Sequence, residues 1–143
     1  MTIISKSALV EYTAEQMYKL VDNVLEYPEF LPWCRSSYEI SRTETELKAG
    51  MEIAHSGLHK SFSTLNHNTP FSAIDIQLAE GPFKHLYGKW RFEPLNDTAC
   101  KITLNMDFEF SSRLLSMTFG PIFSSIASSL VDAFVKRAKV VYG

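Results

Sequence analysis

KITLNMDFEF, residues 101–110, alternates without a break: Ile102, Leu104, Met106, Phe108 and Phe110 against Lys101, Thr103, Asn105, Asp107 and Glu109. Successive side chains of a strand point to opposite faces, so the run predicts a strand with one buried and one wet face. The period of two extends backwards along the chain. Leu86, Trp90 and Phe92 alternate with Tyr87, Lys89, Arg91 and Glu93, and Ile74, Ile76 and Leu78 alternate with Asp75 and Gln77. Turn signals at Gly50, Gly57, Asn68-Thr69-Pro70, Gly81-Pro82 and Asn96-Asp97 divide residues 34–110 into about six strands. Their short connections favour an antiparallel meander.

Beyond residue 112 the period becomes helical. Leu115, Phe119, Ile122, Ile126, Leu130 and Phe134 recur at steps of three or four, and Phe123, Ala127, Val131 and Ala138 widen the apolar stripe. Gly120-Pro121 is expected to kink this helix or divide it into a short and a long piece. At the other end, residues 2–11 read as a first strand in which Ile4, Ala8 and Val10 share a face with Lys6. Thr13 and Gln16 then form a capping-box pattern ahead of Met17, Leu20, Val21 and Val24 at helical spacing. Pro28 and Pro32 break regularity after that helix, where a short second helix or a tight turn fits.

The expected fold is therefore α+β and a single domain over residues 1–143. About seven antiparallel strands form a curved sheet, one or two short helices follow strand 1, and a long C-terminal helix covers the sheet's one apolar face. Incomplete closure between sheet and helix leaves an elongated apolar cavity.

Bulk properties exclude several classes. The 143 residues carry 14 basic and 16 acidic side chains, a net charge of -2, so no global positive field attracts phosphate. Residues 1–70 hold 6 basic and 9 acidic groups and residues 71–143 hold 8 and 7, so nucleic-acid contact needs a patch assembled by folding, and DNA is not an expected partner. Neither a signal-peptide core nor a run of ~18 apolar residues occurs, which predicts a cytoplasmic protein. Cys34 and Cys100, the two cysteines, read as free thiols. His55 and His59 are four apart, but no acidic or cysteine partner is in register for a metal, and they read as surface histidines with His67 and His85. No nucleophile elbow, Walker loop, zinc-protease or dinucleotide motif is present, and no enzyme, metal or required cofactor is expected.

Five separated segments carry a resemblance. They are Tyr27-Pro28-Glu29-Phe30-Leu31-Pro32-Trp33-Cys34, Gly81-Pro82-Phe83-Lys84, Gly88-x-Trp90-x-Phe92, Asp107-Phe108-Glu109-Phe110 and the tail Ala133 to Tyr142. Together they resemble the coenzyme-Q-binding START-domain family, a branch of the polyketide-cyclase-like proteins, with little to recognise over residues 35–70. The resemblance implies the helix-grip fold, in agreement with the periodicities. It also implies two activities. One is binding of ubiquinone or a related isoprenoid lipid in support of cellular respiration, the leading expectation. The alternative is that of a bacterial member: a toxin that binds the large ribosomal subunit, blocks its association with the small subunit and so inhibits translation.

For a hydrophobic ligand the candidate lining is Phe30, Leu31, Trp33, Ile76, Leu78, Trp90, Phe92, Leu104, Met106, Phe108, Phe119, Ile126 and Leu130. Such side chains equally suffice to fill an ordinary core. Met17, Met51, Met106 and Met117 suit an adaptable wall. The inward strand positions read as almost wholly apolar, leaving little for acid–base chemistry. Phe30, Leu31, Pro32 and Trp33 are placed to cap the cavity mouth or to touch a membrane surface transiently, peripheral at the inner membrane. For a ribosomal contact the best basic patch is Lys136, Arg137 and Lys139, with Lys84, Lys89 and Arg91 as a second. Both also fit an ordinary helix C-terminus and a solvated strand face.

Overall fold

The computed structural model describes residues 2–143. Strands β1 (Thr2–Val10), β2 (Cys34–Arg42), β3 (Glu46–His55), β4 (Leu58–Thr69), β5 (Ala73–Glu80), β6 (Phe83–Asn96) and β7 (Ala99–Phe110) form one antiparallel sheet in the order β1-β7-β6-β5-β4-β3-β2. Strands β2 to β7 are a meander, and β1 closes beside β7 with Ile4 opposite Met106 and Val10 opposite Cys100. Helix α1 (Ala14–Asp22), a 3₁₀ turn (Val24–Glu26) and α2 (Tyr27–Phe30) link β1 to β2. Helices α3 (Arg113–Thr118) and α4 (Gly120–Tyr142) end the chain.

Each boundary has a local cause. Thr13 caps α1 as its spacing predicts: its hydroxyl accepts from Gln16 N at 3.1 Å, and Gln16 Oε1 accepts from Thr13 N at 2.8 Å. Pro28 falls in the first turn of α2, where the absent N–H would have no partner. The β3–β4 hairpin turns on Ser56 and Gly57, both at positive φ as a two-residue turn with right-handed strand twist requires. Gly120-Pro121 divides the tail into two helices rather than kinking one.

Gly50 is a correction. It lies in the middle of β3, and the chain turns instead at residues 43–45. Thr43 makes that turn without glycine: its N–H donates to Glu46 O at 2.8 Å and its hydroxyl accepts from Glu46 N at 3.0 Å. Gly50 is small for another reason. Tyr38, its cross-strand partner, lays its ring where a Cβ would sit.

The core lies between the sheet and α4, which buries Phe123, Ile126, Ala127, Val131, Phe134 and Ala138. One aromatic cluster packs Phe83 on Phe110 (4.7 Å between centroids) and both Phe108 (4.8 Å) and Phe83 (5.1 Å) on Phe123. A second sets Phe134 edge-on to Tyr27 (5.5 Å), Phe30 (5.4 Å) and Trp90 (5.4 Å). The cavity lies between the two.

Candidate functional site

An interior cavity of about 90 Å³ separates the clusters, walled by β3 to β7 on one side and α4 on the other. Of the residues expected to line it, Trp33, Ile76, Trp90, Leu104, Met106, Ile126 and Leu130 do so. The others lie elsewhere, for packing reasons. Phe92 is buried between Trp90 and Tyr18. Phe108 belongs to the phenylalanine cluster, and Phe119 packs on Phe110. Leu78 is half-buried near Gly81, while Leu31 is buried outside the cavity. Phe30 faces an outer groove, its ring 4.9 Å from the Arg137 guanidinium. Met17 is core, and Met117 is exposed on α3, so neither reaches the wall; Met51 does.

The wall also holds residues that periodicity does not single out. Ala49, Met51 and Ile53 come from β3, and Phe62, Thr64 and Asn66 from β4. Thr64 and Asn66 correct the expectation of an almost wholly apolar interior: both are buried, and the Thr64 hydroxyl donates to Asn66 Oδ1 at 2.9 Å. Asn66 Nδ2 has no acceptor among the described residues. The row continues to Asn68, whose Nδ2 donates to Asp22 Oδ1 at 2.9 Å. Tyr27, in the opposite wall, donates its hydroxyl to Val21 O. Burial first, and the nearby Asp22 carboxylate second, push its pKa up, so it stays a neutral donor.

Trp33 and Ile126 line both this cavity and an open cleft of about 550 Å³, so they are the partition between interior and solvent. The cleft is otherwise formed by Pro32, Ala54, His55, Pro121, Ile122, Ser125 and Ser129. The Phe30–Trp33 segment therefore covers the mouth, and it is packed down: Leu31 is buried and Phe30 rests on Phe134.

Folding divides the expected basic patch. Lys136 and Lys139 are exposed, whereas the Arg137 side chain is 16% exposed, with Nη2 3.7 Å from Glu26 and 4.0 Å from Glu29. Its stacking on Phe30 ties α4 to α2. In the second patch Lys84 pairs with Glu109 (3.4 Å) and Lys89 with Asp75 (3.4 Å). His55, His59 and His67 are exposed, and His85 is half-buried with Nε2 2.9 Å from Asp107 Oδ1. Among the described residues no group of three or more His, Cys, Asp or Glu could hold a metal ion, and no helix is long and apolar enough to cross a membrane.

A curved sheet gripping a long helix around an apolar space has relatives. Residues 10–135 match the family described as polyketide cyclase/dehydrase and lipid transport. The chain belongs to that family. Within it, the chain is 46% identical over 140 residues to the ribosome association toxin RatA of Vibrio cholerae serotype O1, covering 98% of this chain and 97% of the relative. It is 30% identical over 144 residues to the mitochondrial coenzyme Q-binding protein COQ10 homolog B of Xenopus laevis, covering 97% of this chain and 59% of that protein. Among solved structures, the ZhuI aromatase/cyclase of Streptomyces sp. R1128 superposes with a TM-score of 0.85 over 96% of this chain and 93% of its own, at 14% identity. At that identity the likeness is one of fold. Proteins named as an aromatase/cyclase, a coenzyme Q-binding protein and a ribosome association toxin thus resemble one chain, so the fold alone does not choose among them.

Proposed function

We propose that this protein is a non-enzymatic ribosome-association toxin that binds the large ribosomal subunit and blocks its joining with the small one. The observation that carries this reading is the near full-length 46% identity to RatA, set against the lower identity to the coenzyme Q-binding relative. The interior volume argues in the same direction. Pockets that hold small ligands run to roughly 300–1,000 Å³, and about 90 Å³ here is well below that range. The order of the two readings is therefore the reverse of the one expected from sequence.

Sucrose-gradient sedimentation tests it. Pure protein added to dissociated subunits is expected to comigrate with the large subunit and to lower the joined fraction. Sedimentation at the top of the gradient at low salt, with joining unaffected, would overturn the reading.

A second reading, a bound isoprenoid quinone or similar lipid, is favoured by one observation. The cavity is apolar except for Thr64 and Asn66, and the Asn66 amide offers donors suited to a carbonyl oxygen. Accommodation then requires the partition of Trp33 and Ile126 to open towards the cleft. Mass spectrometry of an organic extract from gently purified protein checks this. No lipid in the extract, together with no saturable quinone binding, removes it.

A further inference from the structure

The short helix α3 buries none of its side chains. It is fixed by its Ser112 cap, whose hydroxyl accepts from Leu115 N at 3.1 Å, and by Leu115, half-buried against the core. Leu114 and Met117, three apart and so on one helix face, are each 70% exposed. Single exposed leucines are common on protein surfaces, but the position of these two is specific. α3 leads through Gly120 into Pro121 and Ile122, part of one wall of the open cleft. The facing wall is the β3–β4 hairpin, through Ala54 and His55, and its tip exposes Leu58. By strand parity Leu58 and Lys60 fall on the face of Phe62, the face turned to α4. Apolar side chains thus project from two separate segments around an opening whose inner partition leads to an apolar interior.

The charges at this end complement an anionic surface. Lys60 and Arg113 have no ion-pair partner among the described residues. Most acids nearby are engaged: Glu52 with Arg35 at 3.6 Å and with His59 at 3.9 Å, and Glu109 with Lys84 at 3.4 Å. Glu80, at the same end of the sheet, is an acid without an ion pair among the described residues. Exposed leucine and methionine on a short helix, with free cations at the same end of the sheet, suit an anionic headgroup layer.

We infer that the end of the molecule bearing α3 docks on an anionic lipid surface, with Leu114 and Met117 inserted and Lys60 and Arg113 among the headgroups. Phe30, packed against α4, is not part of the docking face, whereas Pro32 and Trp33 line the cleft that the face surrounds. Docking of this kind is independent of the ribosomal reading, because its test contains no ribosome.

The test is flotation with vesicles of equal parts phosphatidylglycerol and phosphatidylcholine, and with phosphatidylcholine alone. The protein is expected to float with the anionic vesicles, and less so as salt rises. Leu114→Asp with Met117→Asp should lower the partition coefficient by roughly tenfold per residue. The unchanged melting temperature expected for two exposed positions shows that the variant is folded. Lys60→Glu with Arg113→Glu should abolish the preference for the anionic vesicles. Three results overturn the inference: no flotation of the parent at low salt, parent-like flotation of the Leu114→Asp/Met117→Asp variant, or an undiminished preference for anionic vesicles in the Lys60→Glu/Arg113→Glu variant.

Discussion

Ala127→Leu places three more carbons inside the molecule from the helix wall of the cavity. Ala127 is 1% exposed and lines the space, and leucine keeps the helical propensity of α4. Void volume costs about 24 cal/mol per Å³, so filling a cavity of about 90 Å³ is worth at most about 2 kcal/mol. Imperfect fit subtracts from that, since added carbons in a packed core force off-rotamer neighbours at about 1 kcal/mol or more. The net expectation is a gain of about 1 kcal/mol, seen by calorimetry as a rise in Tm of about 3 °C for a chain of this size.

The functional consequences separate the two readings. A ribosomal contact uses the outer surface, so the variant should comigrate with large subunits as the parent does. A ligand held between sheet and helix loses its room, so any saturable quinone binding, read from the fluorescence of Trp33 and Trp90 in the wall, should disappear. A fall in Tm of several degrees would refute the reasoning about volume, because the neighbours would then already fill the space. Quinone binding of unchanged affinity would refute the placement of the ligand. Ala49→Val, from the sheet side of the same cavity, repeats the experiment with a β-branched residue suited to a strand.

The remaining predictions concern surface charge, a tight backbone approach and buried thiols. Lys136→Glu with Lys139→Glu should weaken large-subunit binding and flatten its log–log salt dependence by roughly one unit for each phosphate no longer neutralised, whereas Arg137→Met, at a side chain turned to Glu26 and Glu29, should leave the slope unchanged. Gly50→Ala should cost about 1 kcal/mol by driving the Tyr38 ring off β3, and little in a Tyr38→Ser background; additive costs in chemical denaturation would show that the ring is not the obstacle. Burial raises the thiols of Cys34 and Cys100 to about 11, so neither should react with a disulfide reagent at pH 8 until the protein unfolds. Because these thiols ionise earlier in the unfolded chain, their contribution to stability is intact below about pH 9 and declines as pH rises towards 11, which denaturant midpoints across that range would register.

Most of the architecture is legible in the sequence because β7 and α4 each carry one unbroken period. Ile102 to Phe110 can satisfy only a half-buried strand, and Phe123 to Ala138 only a helix with one buried face. The cavity wall is less legible because β4 inverts the usual relation between polarity and burial. Its inward row is Phe62, Thr64, Asn66 and Asn68, while Leu65 stands on the other face. Polar groups can occupy such positions when they bond to one another, as Thr64 to Asn66 and Asn68 to Asp22 do, and a single strand's pattern does not contain those partners. The turn at Thr43 is hidden for a related reason: a side-chain hydroxyl closes it, with no glycine to mark the place. Arg137 falls in the basic patch by helical spacing, beside Lys136. The acids that turn it inward come from residues 26 and 29, over a hundred positions away.

The inward turn of Arg137 bears on what a ribosomal contact can consist of. Each phosphate neutralised contributes about 0.9 to the salt slope on a duplex, and two exposed lysines on α4 therefore support a slope of roughly two at most. Proteins that hold nucleic acid mainly through phosphates neutralise several times that many. Of the second expected patch Lys84 and Lys89 are already paired and Arg91 alone is exposed without an ion pair among the described residues, so with a net charge of -2 that patch adds about one more phosphate and does not supply the difference. Specific binding to the large subunit must then draw chiefly on shape and on non-phosphate contacts. It should survive a rise in salt that would strip a basic RNA-binding domain, and its hot spots should lie among apolar and aromatic side chains rather than among lysines.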